Sequence, residues 1–269
     1  MRAFMNIGLA GILLALSSLG AAAADIIEPP VYEAPPEIVA VGGGGWYLRG
    51  DIGYAKIHTD GVLYYQGAPT LTGAFEEYDI ASTWMLGGGI GYQVSDWFRV
   101  DLTGNHYFNT DFNGSSATGA ACTNNGGGEI CDYIDTANVN ITTLLANAYV
   151  DLGNFNGFTP YLGAGIGGAM VHWGDLFNDE TCVANCGAWV EVDGTHPGYA
   201  DLHFAYALHA GVSYDFSANL KLDAGYTMTH IEGGRMFGFE SGNANSGQQG
   251  FNGDIKAHAF RLGLRYAFH

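Results

Sequence analysis

A histidine, a serine and an acid brought together can transfer an acyl group, and this chain of 269 residues carries His209 and Ser213 on one face of a period-two segment. Four positions along a strand hold them roughly 13 Å apart, too far for a direct hydrogen bond. No G-x-S-x-G, H-E-x-x-H or P-loop spacing occurs. The run LGAGIGGA at 162–169 has glycine spacing only; it lies mid-strand with no helix after it, which excludes a dinucleotide site. Its glycines are expected to make room for tall side chains from neighbouring strands. Catalysis and cofactor binding are therefore not expected. The chemistry that remains is ionic: Arg49 and Asp51, Arg99 and Asp101, Lys221 and Asp223 stand two residues apart, and Asp151, Arg261 and Arg265 share the same face of their segments.

Those residues are held by eight segments with period-two alternation: 46–57, 83–94, 97–109, 138–152, 158–172, 201–214, 219–231 and 256–268. Each is roughly 12 to 15 residues long, against a mode of about 5 or 6 for strands of soluble proteins. About 9 to 11 residues suffice for a tilted strand to cross a membrane. One face of each is apolar, for example Trp46, Leu48, Ile52 and Tyr54; the other carries the charges. Alternation alone does not say which face is inside. Aromatic residues at segment ends (Trp46, Trp84, Trp97, Phe108, Trp173, Tyr214 and Phe268) are expected as interfacial girdles. Charged residues make up 13% of the chain, too few for a soluble surface. Acids and bases on the other face balance, as a lipid-shielded interior demands. The apolar face is therefore expected outside. Arg49, Asp51, Arg99, Asp101, Asp151, Lys221, Asp223, Arg261 and Arg265 are expected as an ion-paired lumen network that holds the barrel rigid, with a narrow ion path as the alternative.

Connections alternate in length. Residues 95–96, 153–157 and 215–218 are short turns, and the other four run roughly 24 to 28 residues, long for structureless loops. The long ones hold most of the 27 acids, with Arg235 as their one base. Mobile tips are expected at 113–128 and 241–250, which are rich in Gly, Asn and Ser. No calcium-loop spacing accompanies the acids. The net charge of −18 excludes nucleic acid as a partner.

The amino terminus reads as an address. Arg2, an apolar run from Ile7 to Leu19 and small residues at 22–24 form a secretory signal peptide over 1–24. Residues 25–45, with two Pro-Pro pairs and four glycines, form a tether, and 46–269 form the folded domain. Later stretches fall short of ~18 uninterrupted apolar residues, so no transmembrane helix is expected. In an exported chain an even cysteine count favours disulfides. Local bridges are expected, Cys122 with Cys131 and Cys182 with Cys186; C-x8-C with C-x3-C is poor zinc spacing.

The opening GGWYLRGDIGYA, the strand PYLGAGIGGA and the ending FRLGLRYAF resemble small outer-membrane β-barrels of the opacity-protein and OmpA-barrel type, the "porin family" surface antigens. The resemblance covers nearly all of 46–268. It implies an all-β, eight-stranded, antiparallel up-and-down transmembrane barrel with short periplasmic turns and four long extracellular loops. It also implies that Gly263, Leu264, Tyr266 and Phe268 are read by the barrel-assembly machinery, although His269 follows the aromatic that usually ends the family's chains. No peptidoglycan-binding domain of the OmpA type is expected. Outer-membrane lipids, lipopolysaccharide and extracellular molecules at the loops are the partners it implies. The expected role is structural and surface-interacting, with a small low-conductance porin as the alternative and a lipid-modifying enzyme as a remote one.

Overall fold

The computed structural model describes residues 44–65, 72–122, 128–188, 194–239 and 248–268. The signal peptide, nearly all of the tether and His269 lie outside the described residues. In chain order the strands are β1 (Gly45–Thr59), β2 (Val62–Tyr65), β3 (Thr72–Ala74), β4 (Glu77–Ile80), β5 (Thr83–Ser95), β6 (Phe98–Ala121), β7 (Ile130–Asp151), β8 (Phe158–Trp173), β9 (Leu176–Ala184), β10 (Gly194–His196), β11 (Ala200–Asp215), β12 (Leu220–Ile231), β13 (Gly234–Gly238), β14 (Gln248–Asn252) and β15 (Ile255–Ala267).

Eight of them close a ring. The order β7-β8-β11-β12-β15-β1-β5-β6 is antiparallel throughout, and β6 pairs back onto β7. These are the eight expected strands, with bounds shifted by a few residues except at the upper ends of β6 and β7. The turn between β7 and β8 shows why the short connections are tight. Asn156 and Gly157 both take positive φ, 54° and 90°, between the bridged Phe155 and Phe158, the backbone of a two-residue hairpin.

The outer wall is apolar, as the alternation requires. Trp46 contacts Tyr92 edge-on at one end of the wall, and Tyr54 contacts Trp84 edge-on at the other. Trp46, Trp84, Leu86, Leu262 and Phe260 are all at least half exposed, and a contiguous apolar wall of this kind marks a surface whose solvent is not water. Eight residues separate the two levels on β1, roughly 20 Å of height for a tilted strand. Trp173 departs from the expectation: it is 1% exposed and points inward, because it follows His172 by one residue and so takes the opposite face. It packs edge-on against Phe112 and Phe237.

The long connections are not structureless. β6 and β7 continue as a two-stranded ribbon far past the other strands, so residues 113–121, expected as a mobile tip, are strand. β4 adds to β6, β9 adds to β7, and β10 adds to β9. A separate sheet, β13-β14-β2-β3, is assembled from the first and last long connections. Together these pieces make a folded cap. The sequence signal was weak because the cap strands are short and interrupted by glycine. The remaining loop tips, 123–127 and 240–247, fall outside the described residues.

Both expected disulfides are present, Cys122–Cys131 at the end of the ribbon and Cys182–Cys186 beside it. Cys131 and Cys182 face each other across β7 and β9, so sequence spacing alone did not dictate the pairing. No Lys or Arg occurs between Arg99 and Lys221, so mapping needs chymotrypsin. Under non-reducing conditions each bridge is expected within a single peptide. A crosslinked pair of peptides joining Cys131 to Cys182 would overturn this connectivity.

Candidate functional site

The interior has two levels of opposite character. The lower one, toward the short turns, is ionic. Arg49 grips Asp51 with two bonds, Nη2 to Oδ1 at 2.7 Å and Nε to Oδ2 at 2.9 Å. Its Nη1 donates to Asp101 at 3.0 Å and to the Tyr149 hydroxyl at 3.2 Å. Arg99 Nε donates to Asp151 at 3.0 Å, and its guanidinium lies 4.2 Å and 4.6 Å from the ring centres of Tyr149 and Tyr161. Arg265 donates to Ser213 at 2.8 Å and lies 3.4 Å from Asp223; Ser213 donates to that same carboxylate. The i, i+2 spacing thus pairs Arg49 with Asp51 directly, whereas Arg99 passes over Asp101 to a neighbouring strand. Lys221 is not in this layer: it is one-third exposed at the rim of the barrel, paired with Asp215. Among the described residues Arg261 has no carboxylate partner; its Nη2 reaches His209 Nδ1 at 3.5 Å.

His209 is a structural member of this layer. Asn147 donates through Nδ2 to Asp101 at 2.7 Å and to Thr103 at 2.9 Å, so its Oδ1 is left as an acceptor, 3.0 Å from His209 Nε2. The proton therefore sits on Nε2, and Nδ1 accepts from Thr227 at 3.0 Å. His209 and Ser213 use different partners and make no catalytic pair. Glycines on neighbouring strands leave the space for these side chains. A Cβ on Gly165 would lie 1.9 Å from Asn147 Oδ1, and one on Gly91 2.2 Å from the Tyr47 ring.

The upper level is apolar, which the sequence reading missed. Ala55, Ile57, Met85, Tyr107, Ile141, Leu145, Val171 and Ala207 are all at most 2% exposed and fill the barrel from wall to wall. They sit on the same faces as the ions below. A signal for this was present: on β7 the outward residues change from Leu144, Ala146 and Ala148 to Thr142, Asn140 and Asn138. The inward ones change from Asn147 and Thr143 to Ile141 and Val139. The alternation keeps its period and inverts its polarity. Outside the barrel the same level carries Lys56 and Lys256, paired with Asp79 and Asp60.

Above the apolar layer a row of rings, Tyr64, Phe75, Phe112, Trp173 and Phe237, locks the cap to the barrel through successive edge-on contacts. Over this row lies a cavity of about 400 Å³, between the ribbon, β9, β10 and the separate sheet. Asp135 stands in its wall. Its carboxylate accepts from the Ser116 backbone N–H at 2.7 Å and from Asn178 Nδ2 at 2.6 Å. Burial pushes the acid above the usual carboxylate range, against the opposing pull of those two bonds.

A family model described as the outer membrane protein beta-barrel domain matches residues 11–268. The chain belongs to this family. As an outer-membrane β-barrel protein it resides in the outer membrane of a Gram-negative cell, with its apolar wall against lipid. An uncharacterized protein of Brucella suis is 34% identical over 283 residues, covering 96% of this chain and 95% of that one. A candidate adhesin of Rickettsia bellii is 31% identical over 228 residues, covering 84% and 89%. Neisserial surface protein A, a solved structure, overlaps 84% of this outer-membrane protein and 99% of its own chain, with a TM-score of 0.47 and 15% identity.

Proposed function

We propose that this barrel is a closed pedestal that presents a folded, acidic cap for contact with molecules outside the cell. The observation that carries this reading is the apolar layer. A constriction lined by Ile57, Met85, Ile141 and Leu145 sheds water, and ions do not cross a dry apolar seal. The likeness to a candidate adhesin supports a contact role for the cap. The ionic layer below holds four arginines (49, 99, 261 and 265) and four aspartates (51, 101, 151 and 223), so its formal charges cancel, and its pairs serve to hold the strands in register. His209 and Ser213 are each committed to lumen partners and do not act as a catalytic pair. Leu264 and Tyr266 on β15 and Phe268 just after it face lipid and serve as the assembly signal, with Gly263 facing in against Asp51.

The test is conductance of the refolded mature chain in a planar bilayer, with a heat-modifiable gel shift to show that it has folded. A silent barrel is expected. Steady, reproducible current steps would sink the reading and turn the lumen charges into selectivity determinants.

A further inference from the structure

The cavity in the cap has features of a built ligand site rather than a packing gap. Two polar atoms on residues that line it, His196 Nδ1 and Gln249 Oε1, are shielded from water and, among the described residues, have no hydrogen-bond partner. Gln249 Nε2 donates to the Tyr65 carbonyl at 3.4 Å, which fixes the amide with its oxygen as the idle end. Buried polar atoms in folded proteins nearly always find a partner, and two idle ones around a single cavity amount to an unmet demand for hydroxyl groups. The floor is aromatic, from Tyr64, Phe75 and Phe237. A volume of about 400 Å³ lies at the small end of ligand pockets, which are mostly apolar with a few placed polar groups.

Charge narrows the ligand further. Arg235 is the one base of the long connections, and it is already paired with Asp201. An anion would therefore meet an acidic cap with no free Lys or Arg to receive it, only the imidazole of His196 beside Asp135. A cation would find one carboxylate, Asp135, already accepting two hydrogen bonds. What remains is an uncharged ligand with a flat apolar face and hydroxyls at its edge. We propose that this cavity binds an uncharged saccharide of one or two rings, its face on the aromatic floor and its hydroxyls on Gln249 and His196. The pocket deepens the reading of the cap as a contact surface and rests on it.

The experiment is saturation-transfer NMR and calorimetric titration of the refolded mature chain in phosphocholine micelles, which carry no sugar headgroups. The probes are glucose, galactose, N-acetylglucosamine, lactose and trehalose, with sucrose octasulfate as the anionic counterpart. At least one uncharged probe is expected to bind. Gln249→Leu is expected to weaken it roughly tenfold, the loss of one hydrogen bond, with the gel shift unchanged. His196→Phe is the second variant, should the first fail to fold. Absence of binding by all five sugars, equal binding by a folded variant, or a preference for the sulfated probe would each overturn the pocket. Bilayer recordings separate the two readings: a silent barrel that binds no sugar overturns the pocket alone, and a conducting one overturns the pedestal.

Discussion

Arg49→Ala is expected to cost the barrel about 3 to 5 kcal/mol, the penalty for leaving buried charges without their partner. The substitution strips Asp51 of its two-bond partner and Asp101 of its cation in one step. Both carboxylates are buried in the lumen, where water cannot replace the guanidinium freely. Arg261→Ala is the built-in comparison: among the described residues that side chain meets no carboxylate, so its removal strands no acid. The measurement is the urea midpoint of the heat-modifiable gel shift for each variant. Arg49→Ala should lower it well below Arg261→Ala. Equal midpoints would mean that the ion pairs do not hold the strands.

Phe112→Ala should loosen the cap and spare the barrel. Phe112 is fully buried and sits centrally in the row of rings, touching Phe75, Trp173 and Phe237. Emptying such a site costs about 3 to 5 kcal/mol through lost transfer energy and the cavity left behind. Phe112 and Trp173 are the rings on which Phe75 and Phe237 of the cap rest, whereas each barrel strand is paired on both sides along its length. Hydrogen exchange should therefore rise in β4, β13 and β14 and stay slow in β8, β11 and β12. Uniform protection, or loss of the barrel along with the cap, would contradict the separation of cap from barrel.

The barrel was legible because its signal is local. A lipid-facing residue must be apolar whatever its neighbours are, so Leu48, Ile52 and Leu262 declare their face one at a time. The ion pairs were legible only in part. Arg49 and Asp51 meet because they are two residues apart on one strand, but Arg49 with Asp101 and Arg99 with Asp151 depend on the stagger between strands, which spacing along a chain does not encode. The cap was hidden for a related reason. Phe112 and Phe237 meet across 125 positions, and the strands that carry the cap run as short as three residues. The inversion of polarity along β7 was there to be read. It marks the height at which the outside changes from lipid to water and the inside from ions to core.

The ribbon of β6 and β7 has a mechanical consequence. Some 24 residues of β6, less about 10 that cross lipid, leave roughly 45 Å of strand standing clear of the membrane. Its inter-strand bonds lie across the direction in which a tethered ligand would pull. The Cys122–Cys131 bridge ties the two strands at the free end, so a tug on either one loads both. Force then reaches the barrel along both backbones at once, and the ribbon cannot be peeled open one rung at a time from its tip. A surface protein whose bound partner drags in flowing fluid would hold longest in that geometry.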